Sequence, residues 1–215
     1  MKISFLPEWL KNGYLKLLTP IIDQFIRYKL NPNWFTTIGL IFSVVAAYFF
    51  AIGRHSMGGA IFLLAGTFDI IDGKVARATG RVTKFGALYD STLDRYAELI
   101  IFFGLIYYFV QPNPTDFKYP EWSFTLSIAT AVAIGGSVMV SYIRARAEGL
   151  GLECKVGLMQ RPERVVFLGV GAIFHQLTLI IAILLIAVLS NLTAIQRLVY
   201  LRKQAKGKLV ESTRL

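Results

Sequence analysis

The sequence has little of what builds a soluble secreted domain or a disordered chain. Among 215 residues there is one cysteine, Cys154, so a disulfide framework is excluded. Charged residues make up only 17% and hydrophobic ones 55%, which excludes intrinsic disorder. Acidic residues are the scarcest charge, 13 Asp and Glu against 23 Lys and Arg, leaving a net charge of +10. Such a balance suggests nucleic acid in a polar soluble fold, but here the polar background is missing and no nucleic-acid partner is expected. No internal repeat or low-complexity tract is visible. The first 30 residues lack the cleavage pattern of a signal peptide: Lys2, Glu8, Lys11, Lys16, Asp23 and Arg27 interrupt the apolar residues.

What is present is a series of long apolar runs, at 34–53, 56–68, 99–111, 123–143 and 165–192. About 20 apolar residues cross a hydrocarbon core of roughly 30 Å. The charge is therefore read against a membrane. Two runs reach spanning length only when adjoining charged residues are included, giving helices at 56–76 and 83–111 joined by a turn around Gly80. The polar ends of both meet at that turn. The run 165–192 forms one tilted helix or two helices broken near His175 and Gln176, the first covering 161–175. The positive-inside rule decides. Basic residues crowd before Pro32, between 74 and 84 (Lys74, Arg77, Arg81, Lys84), between 144 and 164, and after Arg197. The intervening loops hold only Arg54 and Lys118. Six crossings put every dense basic segment on one side; five do not.

The expected fold is thus an all-α integral membrane protein with six transmembrane helices, an amphipathic N-terminal helix lying in the interface, and both termini cytoplasmic. The expected divisions are 1–31 (amphipathic juxtamembrane segment), 32–203 (six-helix domain) and 204–215 (basic cytoplasmic tail). Residues 111–122, with Pro112, Asn113, Pro114, Pro120 and the interfacial aromatics Tyr119 and Trp122, form an external loop. His175 is expected to be a loop residue.

Asp69 and Asp72 stand at i, i+3, and Asp90 and Asp94 at i, i+4, so each pair shares a helix face. With a turn between the helices the faces can converge. Four carboxylates at membrane depth are costly unless cations accompany them. Oxygen ligands select hard divalent ions, Mg²⁺ or Mn²⁺, and four carboxylates suit two ions about 4 Å apart, as in displacement at phosphorus. Gly73, Ala76 and Gly86 beside the acids admit a ligand close to the backbone. Arg77, one turn from Asp72, can bind phosphate. The alternative is a set of inter-helix salt bridges to Arg77, Lys84 and Arg95. Glu98 either tunes the site or pairs with Arg95, and Arg81 and Lys84 meet phosphate or lipid headgroups.

The pattern Asp69-x-x-Asp72-Gly73-x-x-Ala76-Arg77, followed by Gly86-x-x-x-Asp90-x-x-x-Asp94, resembles the signature of the CDP-alcohol phosphotransferase family at all eight signature positions. The resemblance implies a six-helix membrane enzyme and a homodimer. It further implies that Asp69, Asp72, Asp90 and Asp94 hold two metal ions and that Asp94 is the general base. Pro32-Asn33-Trp34-Phe35-Thr36 looks like the family's first-helix segment. Asn33 and Thr36 would then join Gly73, Ala76, Arg77 and Gly86 around the nucleotide.

The acceptor alcohol is read from a second group. Arg144, Arg164 and Arg197 each stand at the basic end of a different helix, where three guanidinium groups would suit a phosphate dianion; anchoring to anionic lipid is the alternative. Ser141 to Glu148 with Arg161-Pro162-Glu163-Arg164 is similar to prokaryotic phosphatidylinositol phosphate synthases. That likeness implies transfer from CDP-diacylglycerol to inositol 1-phosphate, with CMP leaving, at a cell membrane and facing the cytoplasm. Glycerol 3-phosphate is the rival acceptor. A divalent-cation transporter is the non-enzyme alternative.

Overall fold

A computed structural model describes residues 7–111 and 117–212. The beginning of the N-terminal segment (1–6), the loop prolines Pro112 and Pro114 with Asn113, and the last three residues of the tail lie outside the described residues. All regular structure among the described residues is helical: α1 (Glu8–Arg27), α2 (Pro32–Ala51), α3 (His55–Ala78), α4 (Lys84–Val110), α5 (Ser123–Gly149), α6 (Arg161–Phe174) and α7 (Gln176–Ser212), with one 3-10 turn at Pro120–Trp122. Among the described residues three helical stretches are long and apolar enough on their own to cross a membrane: Pro32–Ala51, Pro120–Gly149 and Gln176–Ala205.

Helix boundaries follow local chemistry. Asn31 caps α2 by accepting from the Asn33 amide at 3.1 Å, and Pro32 occupies the first turn, where its missing N–H is not needed. Helix α3 stops at a left-handed glycine, Gly80 (φ 66°), with the Arg81 amide bonded back to the Ala76 carbonyl at 3.0 Å. Three residues later Thr83 caps α4 through the Gly86 amide at 2.9 Å. The chain also breaks at His175, whose backbone is extended (φ −163°, ψ 159°). Its Nδ1 accepts from the Leu177 amide at 3.1 Å, and its own N–H donates to Thr178 Oγ1 at 3.0 Å. His175 is therefore the cap of α7.

Helices α2 to α7 close into a ring, in which α2 packs on α3 and α4, α5 on α4 and α7, and α6 on α3 and α7. Phe50, Phe102, Leu105, Tyr108, Leu126, Leu168 and Ile183 fill its interior. Small residues bring backbones close: a Cβ at Gly59 of α3 would lie 2.6 Å from the Gly169 carbonyl oxygen of α6. Helix α1 lies outside the ring. It buries Leu18 and Ile22 against Phe35, Ile71 and Val75, and Tyr14 shares a 2.5 Å hydrogen bond with Thr67 of α3. Its far side shows Trp9, Leu17 and Ile21 to the surroundings, an apolar face suited to a membrane interface.

Candidate active site

Helices α2 to α7 alternate in direction along the chain, as the contacts of Thr36 with Asp72 and of Arg161 with Asp69 and Asp94 require. The start of α2, the end of α3, and the starts of α4 and α6 therefore fall at one end of the ring. The Gly80 turn returns the chain to the same end of the ring, where the i, i+3 acid pair of α3 and the i, i+4 pair of α4 face each other. One carboxylate oxygen each from Asp69, Asp72 and Asp90 lies within 4.8 Å of the others. Asp72 is buried, and Asp69 and Asp90 are half-buried. Asp90 Oδ1 is buried with no hydrogen-bond partner. A buried carboxylate oxygen without a proton donor fits a hard cation, as does an all-oxygen donor set. These three residues could hold a metal ion.

Asp94, one turn further along α4, is in an ion pair. Arg161 Nη1 lies 2.5 Å from Asp94 Oδ2 and 3.0 Å from Asp69 Oδ2. None of the arginines or lysines weighed as partners from the sequence (Arg77, Lys84, Arg95) takes this place. Arg161 comes from the first turn of α6 and stood in the sequence only as part of the basic 144–164 segment. Its signal was the Arg161–Arg164 spacing, i, i+3, matching the i, i+4 spacing of Asp94 and Glu98 on α4.

The residues expected around the nucleotide gather at this same end. Thr36 donates to Asp72 Oδ2 at 2.6 Å, turning that carboxylate toward the cluster. A Cβ at Gly86 would lie 3.5 Å from Asn33 Oδ1, so α2 and α4 meet closely where both residues stand. A Cβ at Gly73 would come within 3.2 Å of Arg77 Nη2: the glycine makes room for the guanidinium folded back over its own helix. Ala76 supplies the carbonyl that ends α3. A cavity lined by Thr36, Ser43, Asp69, Asp72, Asp94 and Arg161 opens beside the acids.

The chain belongs to the CDP-alcohol phosphatidyltransferase family. Residues 29–201 match the family under that description, a span that takes in α2 to α6 and most of α7. The chain is 32% identical over 206 residues to an archaetidylinositol phosphate synthase of Methanothermobacter thermautotrophicus, covering 92% of this chain and 98% of that one. It is 35% identical over 194 residues to a phosphatidylinositol phosphate synthase of Mycobacteroides abscessus, covering 87% and 84%. Two crystal structures of the Mycobacterium tuberculosis phosphatidylinositol phosphate synthase share the fold. The form with CDP-DAG bound gives a TM-score of 0.73 at 33% identity, covering 85% of this chain and 92% of that one. The form with manganese and citrate gives 0.72 at 34%, covering 84% and 86%. This member of the family is a transferase of phospholipid biosynthesis.

Within the family fold the remaining arginines have distinct settings. Arg164 is 2% exposed and forks onto Glu98, Nε to Oε1 at 2.5 Å and Nη2 to Oε2 at 2.8 Å, while Nη1 donates to the Met159 carbonyl at 3.1 Å. Glu98 therefore pairs with Arg164, from across the ring, and not with Arg95; the Arg95 guanidinium bonds the Ser91 carbonyl on its own helix. Arg197 is also buried, donating to the carbonyls of Val156 (2.8 Å) and Val140, and so ties the α5–α6 connection to α7. Arg144 is exposed and pairs with Glu148 one turn on. Arg81 donates to the Lys29 carbonyl at 2.8 Å, joining the α3–α4 turn to the α1–α2 turn.

Proposed function

We propose that the protein transfers the phosphatidyl group of CDP-diacylglycerol to a hydroxyl of inositol 1-phosphate, giving phosphatidylinositol phosphate and CMP. The observation that carries the chemistry is the convergence of Asp69 and Asp72 of α3 with Asp90 of α4 to within 4.8 Å. The acceptor rests on the relatives, which are named as inositol phosphate lipid synthases from both archaea and bacteria.

Asp69, Asp72, Asp90 and Asp94 would hold two divalent ions, Mg²⁺ or Mn²⁺, which screen the pyrophosphate and stabilise in-line displacement at phosphorus. Asn33, Thr36, Gly73, Ala76, Arg77 and Gly86 orient the CDP group, the glycines by letting it approach the backbone. Asp94 takes the proton of the attacking hydroxyl. That oxygen bonds to the lipid-side phosphorus, the bond from phosphorus to the bridging oxygen breaks, and CMP leaves with the electron pair. Arg144, Arg164 and Arg197 hold the acceptor phosphate.

In the same reading the ring forms six membrane crossings, with the acid cluster and both termini at the cytoplasmic face of the cell membrane. Residues 1–31 lie in the interface, 32–203 form the catalytic domain and 204–215 a basic tail. The protein works as a homodimer.

An acceptor panel tests this. Purified protein receives CDP-diacylglycerol, Mg²⁺ and one of inositol 1-phosphate, free inositol, glycerol 3-phosphate or serine, and CMP release is measured. Inositol 1-phosphate is expected to be fastest. Preference for an unphosphorylated alcohol overturns the arginine pocket, preference for glycerol 3-phosphate overturns the acceptor alone, and divalent-cation flux without CMP release would make the protein a transporter.

A further inference from the structure

Two rungs join α6 to α4. In the lower rung Arg164 meets Glu98 through two parallel contacts, and both residues are buried. In the upper rung a single nitrogen of Arg161, Nη1, serves two carboxylates from two helices, Asp69 and Asp94. Its Nε is buried without a hydrogen-bond partner. The lower rung has the geometry of a permanent pair. The upper rung leaves a buried donor unused and binds two of the four acids predicted to hold metal.

We infer that Arg161 is the acid cluster's own exchangeable counter-cation: divalent metal displaces it from Asp69 and Asp94. The inference rests on the metal reading of the acid cluster. Without an added cation, one guanidinium offsets one of the four carboxylate charges and keeps Asp69 and Asp94 facing the cluster. Divalent ions at the same carboxylates remove the attraction that holds the guanidinium there, because like charges repel at contact distance. Arg161 then leaves the carboxylate oxygens. The fixed rung at Arg164, one turn along α6, holds the helix in place while the Arg161 side chain swings. Asp94 is released from its ion pair at the moment metal loads, so its oxygen becomes free for the acceptor proton only in the loaded enzyme. The arrangement keeps the base occupied when no metal is present to direct it.

Mn²⁺ alone, added to the purified full-length protein in detergent, tests the exchange. Binding is followed by the electron paramagnetic resonance signal of free Mn²⁺, in the unaltered protein and in Arg161→Gln. The variant, relieved of the competing cation, is expected to bind Mn²⁺ about tenfold more tightly, a change of about 1.4 kcal/mol. Equal or weaker binding overturns the inference. A second measurement needs no variant: modification of arginines by phenylglyoxal, read by peptide mass spectrometry. Arg161 is expected to react several-fold faster once Mn²⁺ is added, while Arg164 stays protected. An unchanged or slower rate at Arg161 overturns the exchange even if the variant does not fold. Failure of both proteins to bind Mn²⁺ overturns the metal reading of the cluster, and the exchange with it.

Discussion

Removing Glu98 should destabilise the protein far more than removing any exposed acid. Glu98 and Arg164 are 7% and 2% exposed, and their two contacts measure 2.5 and 2.8 Å. Glu98→Ala leaves the Arg164 guanidinium charged, buried and half-satisfied, with only the Met159 carbonyl still bonded to it. Breaking a buried pair on one side costs about 3–5 kcal/mol, most of it the desolvation of the orphaned charge. At 2–4 °C per kcal/mol for a chain of this size, the melting temperature should fall by about 6–20 °C. The assay is thermal unfolding of the detergent-solubilised protein, followed by intrinsic fluorescence. The paired replacement Glu98→Leu with Arg164→Met removes both charges, and apolar residues of similar volume are often neutral or better at such sites. It should recover most of the loss, less about 1–3 kcal/mol for the Met159 carbonyl left without a donor. Recovered stability without recovered turnover would separate the arginine's structural role from the role proposed for it toward the acceptor phosphate. A melting temperature within about 2 °C of the unaltered protein for Glu98→Ala would refute the reasoning, because it would mean that water reaches the pair.

Two further outcomes follow from other contacts. Asp94→Asn keeps the size of the side chain and removes the carboxylate proposed as the base, so CMP release should fall by about 10²–10⁴-fold while CDP-diacylglycerol binding persists; near-normal turnover would remove Asp94 from that role. Gly59→Val places a Cβ 2.6 Å from the Gly169 carbonyl and 2.9 Å from Ala172 Cβ, forcing α3 and α6 apart. A loss of about 1–3 kcal/mol in stability is expected, and an unchanged melting curve would show that the helices do not touch there.

The acid cluster was legible because helix geometry converts short spacings into directions. Asp69 with Asp72, and Asp90 with Asp94, each had to share a face, and Gly80 supplied a left-handed stop between them. The break at His175 was legible from the charge of the segments on either side of it. The partners of Asp94 and Glu98 were not. Arg161 and Arg164 stand more than 60 residues away on another helix, and periodicity within a helix carries no information about which helix it will face. Nearby basic residues, Arg95 for Glu98 and Arg77 and Lys84 for the aspartates, were the natural sequence candidates; Arg95 does share a face with Glu98 at i, i+3, but it turns back to the Ser91 carbonyl and Glu98 is taken by Arg164 from α6. The apolar runs of α3, α4 and α6 were also harder to see than those of α2, α5 and α7. The acids and arginines gathered at one end of these helices lower the mean hydropathy of the segments that carry them.

The ring also divides the chemistry along the chain. The four aspartates and the residues proposed for the nucleotide all lie on α2, α3 and α4, within one contiguous stretch closed by the short turn at Gly80. The arginines proposed for the acceptor phosphate lie on α5, α6 and α7. On the proposed assignments, substitutions confined to α5, α6 and α7 would change the alcohol accepted and leave the grip on the activated lipid intact, Arg161 of α6 being the one side chain that reaches from the second half into the acid cluster.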